Sequence, residues 1–100
     1  MRQAEYPWLV PADHPAFAGH FPGRPILPGV VLLDRAILLA EDFLGRPTTS
    51  WQIGQTKFFV PVAPGAILRY LFQEQTGGRI AFSVRAGERE IAAGLLQPSP

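Results

Sequence analysis

Apolar and polar residues fall along the chain in three successive regimes. Residues 2–10 mix the two kinds and stop at Pro11, which predicts a short strand. Pro7 places that strand near a sheet edge, because proline has no amide hydrogen to give to a ladder. Residues 13–29 carry Pro15, Gly19, Pro22, Gly23, Pro25, Pro28 and Gly29. That density forbids a helix interior and a central strand, so a long, stiff loop is expected, of the kind that tends to carry function. Residues 30–44 hold good helix formers with no internal Gly or Pro and stop at Gly45 and Pro47, which predicts a helix. Its first three turns have almost no polar face, so a core helix wrapped by other elements is expected.

From Trp51 onward the pattern changes to β-type runs at 51–60, 66–75, 79–86 and 90–96. The breaks at 61–65, 77–78 and 86–88 are short and rich in turn formers. These four runs are expected to form an antiparallel meander, with residues 97–100 a frayed end. One buried helix with one strand before it and four after it is an α+β arrangement, in which an antiparallel sheet curls around one long central helix. The chain has 100 residues and shows no repeat or linker, so residues 1–100 are read as a single domain.

Composition adds a partner and removes several function classes. Hydrophobic residues make up 47% and charged residues 17%, which is apolar for so short a chain and favours surface covered by a second copy. A homodimer, or a higher oligomer of dimers, is expected. The net charge of +1 and the lack of a basic stripe argue against nucleic acid. No charged-then-apolar leader stands at the start, and Asp34, Arg35, Glu41 and Asp42 interrupt the apolar stretch, so neither export nor membrane insertion is expected. With no cysteine, thiolate chemistry and zinc–cysteine sites are excluded, and a cytoplasmic location is expected. No cofactor and no metal ion are expected.

The stretch Gly19-His20-Phe21-Pro22-Gly23-Arg24-Pro25-Ile26-Leu27-Pro28-Gly29-Val30, followed by Asp34, carries the chemistry. It closely resembles the active-site segment of the 3-hydroxyacyl-acyl-carrier-protein dehydratases, with their His-Phe-Pro-Gly loop, Pro-Gly helix start and acidic residue in the first helical turns. Asp34 follows His20 by 14 positions, the separation used in that family. A second block, Lys57-Phe58-Phe59-Val60-Pro61-Val62-Ala63-Pro64-Gly65, resembles the family's strand and turn. The compact length and the Asp34-Arg35 pair also resemble small stand-alone dehydratases of aryl-polyene pathways. The resemblance implies a hot-dog fold. It further implies conversion of 3-hydroxyacyl thioesters on an acyl carrier protein to trans-2-enoyl thioesters, in fatty acid or polyketide-type biosynthesis.

Such a reaction removes a weakly acidic proton beside a carbonyl and protonates a poor leaving hydroxyl, so it needs two titratable groups. Histidine suits the base, and a carboxyl group can hold or protonate the departing hydroxyl; His20 and Asp34 fit these roles. Charge developing on the thioester oxygen suits free N–H groups at a helix start, where Gly29 stands without a side chain to obstruct approach. The stiff loop leaves open whether one chain or two supply the pair, and the resemblance implies His20 of one subunit with Asp34 of the other. Phe21 is assigned to the acyl pocket. His14, in Asp13-His14-Pro15, is read as structural turn chemistry. Arg24, Arg46, Lys57 and Arg69 are available to an acidic carrier protein, although scattered cations are usually solvated surface. Three departures stand out. Members of that family usually carry an N-terminal helix and a further strand before the segment with which this sequence opens, so a more open or differently closed tunnel is expected. Phe59 and Val60 replace basic residues, which weakens the usual carrier patch. An Asp beside a His-Phe-Pro-Gly loop mixes two branches, and dehydration without isomerisation is expected. A hot-dog thioesterase, which has no need of His20, and a non-catalytic subunit are the competing readings.

Overall fold

Pro28 and Gly45 set the limits of the one long helix, α1, Gly29–Leu44. Extended backbone at Pro28 (φ −60°, ψ 144°) ends the preceding loop, and the Val31 N–H closes the first turn on the Pro28 carbonyl at 3.0 Å. At the other end Gly45 takes φ 77°, a left-handed conformation open to glycine, and its N–H closes on the Glu41 and Asp42 carbonyls. A computed structural model of the chain describes residues 2–18, 23 and 25–99. Among the described residues, six strands accompany the helix: β1 (Gln3–Leu9), β2 (Trp51–Ile53), β3 (Lys57–Phe58), β4 (Ile67–Glu74), β5 (Ile80–Ala86) and β6 (Arg89–Pro98). All pair antiparallel in one sheet ordered β1-β4-β5-β6-β2, and β3 joins β2 along the same side of β6.

Alternation along the strands builds the core. Leu68, Tyr70 and Phe72 of β4, Ile80, Phe82 and Val84 of β5, and Ala92 and Leu96 of β6 are buried on one face of the sheet. Leu32, Ala36, Ala40 and Phe43 of α1, spaced three to four apart, close over them. The opposite face of the sheet is mixed: Leu9 and Ile67 stand exposed side by side, and Arg69 and Glu5 pair at 3.1 Å in solvent, where such a pair adds little stability. Arg2 ties the start of β1 to the end of the helix, its guanidinium donating to the Phe43 carbonyl and lying over the Phe43 ring.

Several expectations change at this point. Helix α1 is not enclosed: Val30 and Leu38 are 63% and 56% exposed, with exposed Asp34 between them, because positions 30, 34 and 38 share the face turned from the sheet. The run 51–60 is two short strands separated at 54–56 rather than one. Only β4, β5 and β6 form a meander; the strands of 51–58 pair with β6, and β1 takes the place beside β4. Residues 97–98 are not frayed, since Gln97 and Pro98 pair with Gln52 and Trp51, and the Ser99 N–H reaches the Ser50 carbonyl. β1 does lie at an edge, as Pro7 suggested.

Gly94 of β6 shows how tightly this face is packed. Opposite Phe82, a Cβ at position 94 would stand 2.6 Å from Thr56 Oγ1 and 2.8 Å from Phe82 Cε1. Gly94→Ala is therefore expected to destabilise the fold by about 1–3 kcal/mol, as overpacking of a core does. Thermal unfolding checks this; an unchanged Tm would mean that the ring moves aside freely.

Candidate active site

Beside the start of α1 lies an open apolar cleft of about 410 Å³, with Ile26, Leu27, Gly29, Phe58, Phe59 and Val62 among its walls. Two chain segments meet there, held together by the Leu27 N–H on the Val62 carbonyl at 2.8 Å. The 61–65 turn is in turn anchored to the end of β1, because the Gly65 N–H donates to the Val10 carbonyl and the Val10 N–H to the Ala66 carbonyl. The cleft is thus framed by loops tied to the sheet.

A helix start leaves its first N–H groups without intrahelical acceptors. Here Pro28 supplies no side-chain cap, and neither the Gly29 nor the Val30 N–H has an acceptor among the described residues. Two donors at the positive end of the helix dipole stand beside an apolar cavity, an arrangement suited to an oxygen gaining negative charge. The Phe58 ring occupies the space a side chain at 29 would take, since a Cβ there would lie 3.0 Å from Phe58 Cε1 and Cζ. Phe58 is half-exposed and can swing away, so Gly29→Ala is expected to fold. The displaced ring and the added methyl should nonetheless lower turnover, by up to about a hundredfold for a displacement near 1 Å. Steady-state kinetics on the folded variant test this, and an unchanged rate would remove Gly29 from the site.

Asp34 lies five residues further on, about 7.5 Å along the helix axis. Its side chain is exposed on the Val30–Leu38 face and does not line the cleft of its own chain. The cost of burying a carboxylate in an apolar helix therefore does not arise within one chain. His20 and Phe21 lie outside the described residues, as does Arg24. Of the other cations, Arg69 is engaged by Glu5 and the Gly87 carbonyl, and Arg46 by the Pro47 and Ser99 carbonyls, while Lys57 is exposed. His14 has the structural role read for it: Nδ1 accepts the Ala16 N–H at 3.0 Å, and the ring meets Trp8 and Phe17 edge-on.

Two features near the site went unread in the sequence. The Tyr70 hydroxyl donates to the Leu32 carbonyl at 3.0 Å inside the core. Burial pushes this hydroxyl well above the usual tyrosine range, with the nearby Arg35 charge offsetting part of the rise, so it stays protonated and able to donate. Arg35 lies over the Trp8 ring, 4.5 Å from its centroid. The only sequence signal for Tyr70 is a polar tip within the inward row of β4.

One helix laid across one face of an antiparallel sheet in the order β1-β4-β5-β6-β2 is the hot-dog fold. The chain belongs to the ApeI-like family, described as ApeI dehydratase, whose model matches residues 1–95. It is similar to the 3-hydroxyacyl-acyl-carrier-protein dehydratase FabZ of Zymomonas mobilis subsp. mobilis, at 42% identity over 69 residues, covering 60% of this chain and 44% of that one. The chain spans about half the length of the curated relatives it matches. Among solved structures, the dehydratase heterocomplex ApeI:P from Xenorhabdus doucetiae shares the fold, with a TM-score of 0.82 and 24% identity over 98% of this chain and 88% of that one. An uncharacterized protein from Erwinia carotovora subsp. atroseptica matches with a TM-score of 0.74 and 31% identity, over 98% of this chain and 83% of that one. No helix among the described residues is long and apolar enough to cross a membrane.

Proposed function

We propose that this protein dehydrates 3-hydroxyacyl thioesters, carried on an acyl carrier protein, to trans-2-enoyl thioesters, acting in the cytoplasm in fatty acid or aryl-polyene-type biosynthesis. The observation that carries the reading is the pair of N–H donors at Gly29 and Val30 that have no acceptor among the described residues, at a helix start whose Gly29 lines an apolar cleft and which follows the His20-Phe21-Pro22-Gly23 motif in the sequence. The thioester oxygen is placed on those donors, which favours the enolate-like charge that forms as the C2 proton leaves. His20 takes that proton. The C3–O bond then breaks, the electron pair of the C2–H bond becomes the new double bond, and Asp34 delivers the proton that turns the departing hydroxyl into water. Phe21 lines the acyl pocket with Phe58.

The active unit is a homodimer. Val30 and Leu38 flank Asp34 with exposed apolar surface, and Ile53 and Phe58 on the β2–β3 edge of the sheet are exposed as well. A second copy covering this surface brings Asp34 of one subunit to His20 of the other. The solved relative from Xenorhabdus doucetiae is described as a heterocomplex; a chain that purifies alone as an inactive monomer would point to a different partner. Mass analysis of the protein incubated with a panel of 3-hydroxyacyl carrier-protein thioesters tests the activity. Loss of one water with the thioester intact is expected, and release of free acid would instead mean a thioesterase.

A further inference from the structure

The first half of α1 is held from beneath at two points. Tyr70 is fully buried, and its hydroxyl reaches across the core to the Leu32 carbonyl at 3.0 Å. One turn further along, the Arg35 guanidinium lies over the Trp8 ring. Trp8 and Tyr70 sit on neighbouring strands, and the β1–β4 register places Trp8 opposite Leu68 and Tyr6 opposite Tyr70. Among the described residues, no other side-chain hydrogen bond joins the sheet to this half of the helix. The turn between the two held positions carries Asp34 on its outer face.

Rotation of a helix about its axis moves side chains but leaves its terminal N–H groups pointing along that axis. A side chain reaches about 5–6 Å from the axis, so a rotation of about 10° carries a carboxyl group about 1 Å sideways. Displacement on that scale is enough to cost up to about a hundredfold in rate. Packing of Leu32, Ala36 and Ala40 resists large rotations, but apolar contact is not directional, whereas a hydrogen bond to one named carbonyl is. We propose that Tyr70, assisted by the Arg35–Trp8 stack, is a positioning residue that sets the rotation of α1 and so aims the Asp34 carboxyl. This rests on the dehydratase reading of Asp34.

Tyr70→Phe isolates the contribution. The ring stays, and the Leu32 carbonyl keeps its helical bond, so no buried polar group is stranded and the fold survives. The expected result is a fall in kcat of about tenfold with KM within about twofold of the wild type. In an Asp34→Asn background the same change should add less than about a twofold loss, because the group being aimed is gone. Equal losses in both backgrounds, or a change in KM alone, would overturn the inference. Wild-type protein that dehydrates nothing refutes the functional reading instead. The anchor is then read by hydrogen exchange, as amides in 31–36 opening about fivefold faster in Tyr70→Phe, and unchanged exchange overturns it whatever the enzyme does.

Discussion

Replacing His20 with alanine or Asp34 with asparagine is expected to cut turnover by at least about a hundredfold in protein that still folds, because each change removes one of the two groups proposed to move protons. For Asp34 the structural side of this expectation is direct. The residue is exposed on the outer face of α1, and asparagine keeps its shape, so the stability change should stay within about 0.5 kcal/mol. A large loss of rate with no loss of Tm then has to come from chemistry. His20 lies outside the described residues, so circular dichroism must first establish that its variant folds. The water-loss assay reads both variants, and a near-normal rate in either folded protein would strip that residue of its role.

Mixing the two inactive variants should bring activity back. Unfolded and refolded together, His20→Ala and Asp34→Asn protomers pair at random, so about half the dimers are mixed, and each mixed dimer holds one intact His20–Asp34 pair across the interface. One working site in two, in half the dimers, restores about a quarter of wild-type activity. The recovery is large because each variant alone is nearly inert. The placement of Asp34 motivates it: the residue is exposed between Val30 and Leu38, on a face its own sheet leaves bare, and is not among the residues lining its own cleft. If the pair instead acts within one chain, every site in the mixture carries a lesion. Absence of recovery, with mixed dimers confirmed by native mass spectrometry, would refute the shared site.

What could be read from the sequence follows from the range of the forces involved. Helix α1 and the β4–β5–β6 meander are written in local signals, namely the run of helix formers ended by Gly45, and alternating strands separated by Gly77-Gly78 and Gly87. The neighbour of β4 is not a local matter. Two candidates compete for that edge, and only the assembled sheet decides between β1 and the strands of 51–58. The break at 54–56 was hidden for a similar reason, since Gly54 matters through its close approach to Leu95, where a Cβ would lie 3.1 Å from the Leu95 Cβ. The roundly apolar helix predicted cover on every side, whereas the sheet covers one face and leaves Val30 and Leu38 exposed, because periodicity cannot say whether a chain holds enough structure to wrap its own helix. Within the site, Gly29 was visible as a helix start after Pro28. Phe58 over Gly29 and Tyr70 under Leu32 were not, because each contact joins residues far apart in sequence.

The strand order also shapes how the molecule comes together. Pairing Gln3 with Gln73, or Trp51 with Pro98, closes a long loop before any contact repays the lost chain entropy. The two hairpins of β4, β5 and β6 close through short turns instead. Nucleation is therefore expected in that three-stranded unit, with β1, β2, β3 and the docked helix consolidating later, on the millisecond-to-second scale common for chains rich in distant pairings. The late-forming part carries Gly29 and Asp34. Mild denaturant should accordingly abolish the proposed dehydration before it erases the hairpin core, with the helix start opening as a subglobal event while the amides of β5, at the centre of that unit, remain protected.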